Sequence, residues 1–298
     1  MRTVWLASYP KSGNTWFRML LANLSAQNGT PADINDLPER DGIASARAPF
    51  DYLTLIDSGL LSHDEIDTLR PRVYEALARP GAAADAGSRV RFAKVHDAYL
   101  HTPKGEPLLA GRKGGDGAIV IVRDPRDVAS SLAHHWKVST GDAIAFMAKQ
   151  DAALCARPGR LDNQFRQKLR GWSDHIGGWL DQTDIPVHLV RYEDMLTGTE
   201  AVLREALVFA QRDASAEQIA GAVALASFPR LQAQERAKGF REGPRPYPDG
   251  RFFRRGEAGA WRDELTAEEV ARIERDHAPM MRRLGYELAV PARLACAG

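Results

Sequence analysis

The sequence predicts an α/β fold with a central, mainly parallel sheet flanked by helices. Three observations lead there. Four short β-branched or apolar runs are spread along the chain, helical patterns lie between them, and a polar segment follows each run at once. Short, continuous apolar strands suit a sheet covered on both faces. In a parallel sheet the ends of such strands share one edge, where open α/β sheets bind ligands in a crevice.

The bulk composition narrows the function. The chain has 298 residues, no internal repeat and no composition shift, so a single domain over 1–298 is expected. Hydrophobic residues make up 44% and charged residues 27%, as in ordinary globular proteins. Forty basic residues against 39 acidic ones leave a net charge of +1. No global field then favours nucleic acid or a membrane surface, and any anion site must be local. Cys155 and Cys296 lie far apart and outside any metal-ligand spacing, so two free thiols in a reducing compartment are expected. Met1–Ser8 runs directly into a strand-like segment without signal-peptide features, and no apolar run reaches the ~18 residues of a membrane span. A cytoplasmic protein is the expectation.

The first strand, Thr3–Ala7, is followed by Ser8-Tyr9-Pro10-Lys11-Ser12-Gly13-Asn14-Thr15-Trp16 and an amphipathic helix over Thr15–Ala26. Gly13 lets the backbone turn tightly and approach a ligand. The amides of Gly13, Asn14 and Thr15 then lie at a helix N-terminus, where unpaired N–H groups and the helix dipole favour an anion. Lys11 adds a full charge, and Ser12 and Thr15 add hydroxyls. The Lys precedes the Gly, so this is not the standard phosphate loop. A plain strand-to-helix turn capped by Ser12 or Asn14 is the alternative.

A helix over Ser62–Ala78 follows from Ile66, Leu69, Val73 and Leu77, and Pro80–Ser88 reads as a small-residue linker. The second strand, Val90–Val95, ends in Lys94-Val95-His96, which places Lys94 and His96 on one face. The third strand, Ala118–Val122, runs into Arg123-Asp124-Pro125-Arg126-Asp127 and a helix over Asp127–Trp136. Helical patterns are also expected over Asp142–Leu154 and Gln164–Thr183. The fourth strand, Val187–Val190, leads to Arg191-Tyr192-Glu193-Asp194. Gly239–Gly250 is too rich in Gly and Pro for regular structure and suits a lid.

The segment Tyr9–Trp16 resembles the 5′-phosphosulfate loop of the sulfotransferases that use 3′-phosphoadenosine-5′-phosphosulfate (PAPS), with Asn14 where the family usually has Thr. The stretch Ile121–Ser131 is similar to the family's 3′-phosphate segment, which implies that Arg123 and Ser131 hold that phosphate. Phe252–Trp261 resembles the family's Arg-Lys-Gly segment, implying a 3′-phosphate pocket completed by Arg254, Arg255 and Gly256. Arg255 stands in place of the usual Lys, which keeps the charge but changes its geometry. Trp16, Tyr192, Ser227 and Phe228 match residues that meet the adenine, and stacking on a purine contributes roughly 1–3 kcal/mol per contact. The matches follow the family's order along almost the whole chain, and they imply the phosphate-loop-like fold of the sulfotransferases.

The resemblance also implies a chemistry. His96 is the general base that takes the acceptor's proton, suited by an unperturbed pKa of about 6.5. Lys11 neutralises charge on the leaving oxygen, Lys94 and the loop amides steady the equatorial oxygens, and Ser131 restrains Lys11 until the acceptor binds. PAPS is the co-substrate and adenosine 3′,5′-bisphosphate the product. No acidic pair stands in the anion loop, so no metal is expected. The acceptor is a hydroxyl or amine, most simply on a small molecule. The region 31–79 and the helices from Lys137 to Leu180 are expected to shape its pocket, and His134, His135 and Trp136 read as solvated helix residues beside it. Arg262–Ala271 departs from the family's short dimerisation segment at Ala267 and Ala271, which argues against the family dimer. Two other readings fit parts of the pattern. An ATP-dependent small-molecule kinase explains Lys11 and the anion loop but not a 3′-phosphate site. A non-catalytic nucleotide-binding protein requires His96 and Lys11 to be dispensable.

Overall fold

The computed structural model describes residues 1–26, 29–37, 42–79, 90–157, 162–243 and 251–289. The linker expected at Pro80–Ser88 and Cys296 lie outside the described residues. β1 (Arg2–Ser8) leads into α1 (Asn14–Asn23), followed by α2 (Arg47–Thr54), α3 (His63–Ala78), β2 (Val90–Val95), β3 (Gly117–Val122), α4 (Pro125–Trp136) and α5 (Thr140–Met147). Two very short strands, β4 (Ala153–Leu154) and β5 (Gln167–Lys168), precede α6 (Trp172–Asp181) and β6 (Val187–Arg191). Then come α7 (Tyr192–Thr197), α8 (Thr199–Ala210), α9 (Ala216–Leu225), α10 (Phe228–Lys238), α11 (Trp261–Glu264) and α12 (Ala267–Arg283).

The four expected strands are β1, β2, β3 and β6. They form one parallel sheet in the order β2-β1-β3-β6. β3 is continuously apolar because both its faces are buried, whereas β6, at the edge, is partly exposed. Val4, Leu6, Phe92, Ile119 and Ile121 pack with α1, α8 and α9 on one side. Trp5, Ala7, Ala93, Val95, Val120 and Val122 pack with α4, α5 and α6 on the other. From β1 the chain goes to β2 on one side, then crosses to β3 on the other. The carboxyl end of β1 is therefore the switch point at which such sheets open a crevice.

Two helix expectations are corrected. The helix expected over Asp142–Leu154 begins at Thr140, capped by Ser139, and stops at Met147. The one expected over Gln164–Thr183 covers only Trp172–Asp181. Among the described residues between them, Ala153–Leu154 and Gln167–Lys168 are strands because neighbours satisfy their backbone. Phe165 N–H donates to the Ser45 carbonyl at 2.7 Å, Lys168 N–H to an Asp97 carboxylate oxygen at 2.9 Å, and β4 pairs antiparallel with β5. Asp97 is fully buried and takes a bidentate guanidinium from Arg70 at 2.5 and 3.2 Å, so this anchor is a fixed point beside His96. The helices after β6 carry ordinary start signals that the strand-end pattern overshadows. Ser215 with Gln218 and Thr266 with Glu269 form capping boxes for α9 and α12. The segment compared with the family dimer motif forms α11 and the start of α12. Among the described residues no helix is long and apolar enough to cross a membrane.

Candidate active site

All four strand ends open on one cavity of about 570 Å³. At the end of β1 the chain turns through Lys11, at φ 70°, and Gly13, at φ 103°. Gly13 is the N-cap of α1, and a Cβ there would stand 2.6 Å from the Tyr192 ring. Glycine is required twice over, by the left-handed backbone and by the aromatic wall. Phe17 N–H makes the first helical bond, to the Gly13 carbonyl at 3.1 Å. The amides of Asn14, Thr15 and Trp16 precede it and have no intrahelical carbonyl to use. The Asn14 side chain points the other way, donating to the Leu6 carbonyl at 3.0 Å and Ser8 Oγ at 3.2 Å. Asn14 thus pins the turn to β1 and offers the crevice its N–H. Ser12 is buried behind the lining, with no partner for its Oγ among the described residues.

Lys11 Nζ stands 3.6 Å from the centroid of the Phe252 ring. Burial, with Arg123 and Lys94 as cationic neighbours, pushes its pKa down to about 7. Lys94, at the end of β2, reaches Glu242 at 3.2 Å. His96 Nδ1 lies 2.8 Å from the Ser8 carbonyl oxygen. A carbonyl only accepts, so Nδ1 carries the proton and the lone pair is on Nε2. Burial first, and Lys94 second, push the imidazole pKa down to about 3 and keep it neutral. Lys94 and His96 both line the cavity, as their shared face requires.

At the end of β3, Arg123 donates to the Glu257 carbonyl at 3.0 Å and lies 4.3 Å over the Tyr192 ring. Asp124 caps α4, and Ser131 lines the cavity further along that helix. Asp127 fastens the 256–261 loop to α4: its carboxylate accepts the N–H groups of Gly259 at 2.7 Å and Trp261 at 2.9 Å. In that loop Gly256 has φ 68°, and a Cβ there would fall 2.4 Å from the Phe228 ring. Gly256 and Phe228 are therefore in direct apposition, though distant in sequence. Trp16 and Tyr192 meet edge to face at 5.8 Å, and Trp16 Nε1 donates to the Ala226 carbonyl at 3.0 Å. Arg254 forms a bidentate pair with Glu264, which Arg255 also meets at 3.1 Å. Ser227 lies behind the lining; its carbonyl starts α10 by accepting the N–H groups of Arg230 and Leu231.

The structure thus gathers Lys11, Gly13, Asn14, Thr15, Trp16, Lys94, His96, Arg123, Ser131, Tyr192, Phe228, Arg254, Arg255 and Gly256 around one space. His135 and Trp136 also line it and are not simply solvated; burial pushes the His135 pKa down to about 4. His134 instead meets the Arg251 carbonyl at 3.0 Å. Phe252 and Glu242 are among the lining residues not singled out from the sequence. Phe252 supplies the ring beneath Lys11. Glu242 receives Thr15 Oγ1 at 3.3 Å, Arg18 at 3.0 Å and Lys94 at 3.2 Å, and these cations hold its pKa down to about 2. A lone acid inside a Gly- and Pro-rich loop was the only available signal.

The unpaired amides at the start of α1, Lys11, Lys94, Arg123, Ser131 and the 254–256 segment line one cavity with the rings of Trp16, Tyr192 and Phe228, an arrangement suited to an anionic ligand carrying a flat ring. Arg123 bridges the lining: its Nη1 donates to the Lys11 carbonyl at 3.4 Å and its Nη2 to the Glu257 carbonyl at 3.0 Å. The neutral imidazole of His96 shares that lining. Among curated proteins the chain is 24% identical over 283 residues to the amine sulfotransferase of Oryctolagus cuniculus, covering 91% of this chain and 78% of that protein. It is 24% identical over 289 residues to cytosolic sulfotransferase 17 of Arabidopsis thaliana, covering 90% and 71%. Among solved structures, mouse sulfotransferase SULT7A1 complexed with PAP matches with a TM-score of 0.57 at 17% identity, over 94% of this chain and 85% of that one. Retinol dehydratase in complex with androsterone and inactive cofactor PAP also matches at 0.57, with 19% identity over 98% and 84%. These two structures share the fold. The model of the sulfotransferase domain matches residues 1–285, and the chain belongs to that family.

Proposed function

We propose that the protein transfers the sulfuryl group of PAPS to a hydroxyl, or an amine, of a small-molecule acceptor, with His96 as general base. The observation that carries this is the tautomer at His96. The Ser8 carbonyl fixes the proton on Nδ1, which leaves the Nε2 lone pair free on a residue lining the cavity that Lys11 and Lys94 also line. The structures of SULT7A1 and retinol dehydratase are titled as complexes with PAP, which supports the same nucleotide here. Relatives named cytosolic sulfotransferases support a cytoplasmic setting.

In this reading the 5′-phosphosulfate lies over the amides of Asn14, Thr15 and Trp16, and the 3′-phosphate at Arg123, Ser131 and Gly256. Tyr192, Trp16 and Phe228 border the base. The acceptor oxygen attacks sulfur in line while its proton passes to His96 Nε2. The bond between sulfur and the bridging oxygen breaks, and that oxygen leaves with the electron pair as part of a phosphate. Lys11 neutralises the growing charge there, and Lys94 steadies the sulfuryl oxygens. Preorganised donors of this type each contribute on the order of 10²–10³ in rate. Before the nucleotide arrives, Glu242 supplies the negative charge that Lys94 and Thr15 meet.

Thermal melting tests the assignment. Adenosine 3′,5′-bisphosphate should raise Tm strongly, and ATP with Mg²⁺ should not. The opposite ranking would move the protein to phosphoryl transfer and sink this reading.

A further inference from the structure

Part of the cavity lining is built from three short extended pieces. Ile43 forms a parallel bridge with Lys94, and Ala44 N–H donates to the Lys94 carbonyl at 2.7 Å. Ala46 bridges antiparallel to Gln164. β5 is tied to the residues just after His96: Lys168 N–H bonds the Asp97 carboxylate at 2.9 Å, and Ala98 N–H bonds the Lys168 carbonyl at 2.8 Å. The wall is thereby registered against both Lys94 and His96. It carries the apolar side chains of Ile43 and Leu154 and two amides, Gln164 and Gln167, and Trp136 at the end of α4 lines the same cavity.

Those amides form a directed network. Ser45 Oγ donates to Gln164 Oε1 at 3.1 Å, and Gln167 Nε2 donates to the same oxygen at 2.9 Å. The Gln167 amide nitrogen also lies 3.9 Å from Cys155 Sγ. With its nitrogen side engaged, Gln167 has its orientation set, and its oxygen faces elsewhere. The side chain is 2% exposed, it lines the cavity, and Oε1 has no hydrogen-bond partner among the described residues. A buried carbonyl oxygen left without a donor is costly, and native proteins rarely keep one without a reason.

We propose that Gln167 Oε1 is the acceptor-recognition group of this enzyme. It accepts a hydrogen bond from a second O–H or N–H of the substrate while the first hydroxyl meets His96. The substrate class is a compact acceptor with two hydrogen-bond donors, such as a diol or dihydroxyarene, in place of a simple alcohol, phenol or sterol. This rests on the sulfuryl-transfer reading above. Apolar pockets discriminate weakly against an added or missing hydroxyl, whereas a site with a dedicated polar partner discriminates strongly.

The test is the kcat/KM of the wild-type enzyme, with saturating PAPS, on matched acceptors. Catechol, resorcinol and hydroquinone are compared with their monomethyl ethers and phenol, and the cyclohexanediols with their monomethyl ethers and cyclohexanol. At least one dihydroxy compound should exceed both its ether and its mono-ol by about tenfold or more. Gln167→Met should erase most of that advantage while the Tm shift with adenosine 3′,5′-bisphosphate persists. Equal rates across each set, a preference for the ether over the mono-ol, or an unchanged preference in Gln167→Met would overturn the proposal. So would nucleotide binding with no member of the panel sulfated. No Tm shift with adenosine 3′,5′-bisphosphate would instead mark failure of the nucleotide reading itself. The wild-type panel stands alone if the variant fails to fold.

Discussion

Raising the pH from 7 to 9 should weaken nucleotide binding, and Lys11 should be the cause. In the free protein its ammonium is buried beside Arg123 and Lys94, and its pKa is pushed down to about 7. A bound phosphosulfate brings negative charge to the same place and raises that pKa. The sign follows from linkage. The complex holds the proton more tightly than the free protein, so the contribution to affinity is complete below pH 7 and is lost as pH rises toward the pKa of the complex. The loss is about tenfold in Kd per pH unit, or ~1.4 kcal/mol, and up to roughly a hundredfold by pH 9. The phosphates of the nucleotide, with a second pKa near ~6, are ionised throughout this window and do not confuse it. Calorimetric titration with adenosine 3′,5′-bisphosphate at pH 7, 8 and 9 gives the slope. Repeating it at pH 8 in buffers of different ionisation enthalpy counts the protons taken up. Lys11→Met should reduce that uptake. A flat Kd, or the same proton uptake in Lys11→Met as in the parent, would refute the reasoning.

Other substitutions separate binding from chemistry. His96→Gln should lower kcat by about 10²–10⁴ in a PAPS turnover assay and leave the Tm shift with nucleotide intact; near wild-type turnover would remove His96 as the base. Gly13→Ala forces a Cβ to 2.6 Å from Tyr192 at a φ of 103°, so nucleotide affinity should fall at least tenfold by calorimetry. Unchanged affinity there would mean that the turn does not cradle the ligand. Glu242→Gln removes a negative charge from Lys94, Arg18 and Thr15 and should tighten adenosine 3′,5′-bisphosphate binding by about tenfold. Weaker binding would show that the carboxylate organises the site instead of competing for it.

The strand ends were legible in the sequence for two physical reasons. A sheet buried on both faces makes its strands read as unbroken apolar runs, as Ala118–Val122 does. The turn into α1 passes through φ 103° with the Tyr192 ring 2.6 Å from where a Cβ would stand, and only glycine fits there. The conformation at Phe165 and Lys168 was not legible. It is decided by the Ser45 carbonyl and Asp97, partners brought by the fold, against a local helical pattern. Glu242 could not be found from sequence either, because it meets Lys94 across a separation of 148 residues. Asn14 shows a third case. Its residue type was noted as a mild departure, but its side chain turned out to brace β1.

A crystal structure with adenosine 3′,5′-bisphosphate examines the core of the account directly. The 5′-phosphate should lie within hydrogen-bond distance of the amides of Asn14, Thr15 and Trp16, with the 3′-phosphate against Arg123 and Ser131 and His96 Nε2 open to the cradle. A nucleotide in the reverse orientation, or in any other part of the molecule, would contradict it.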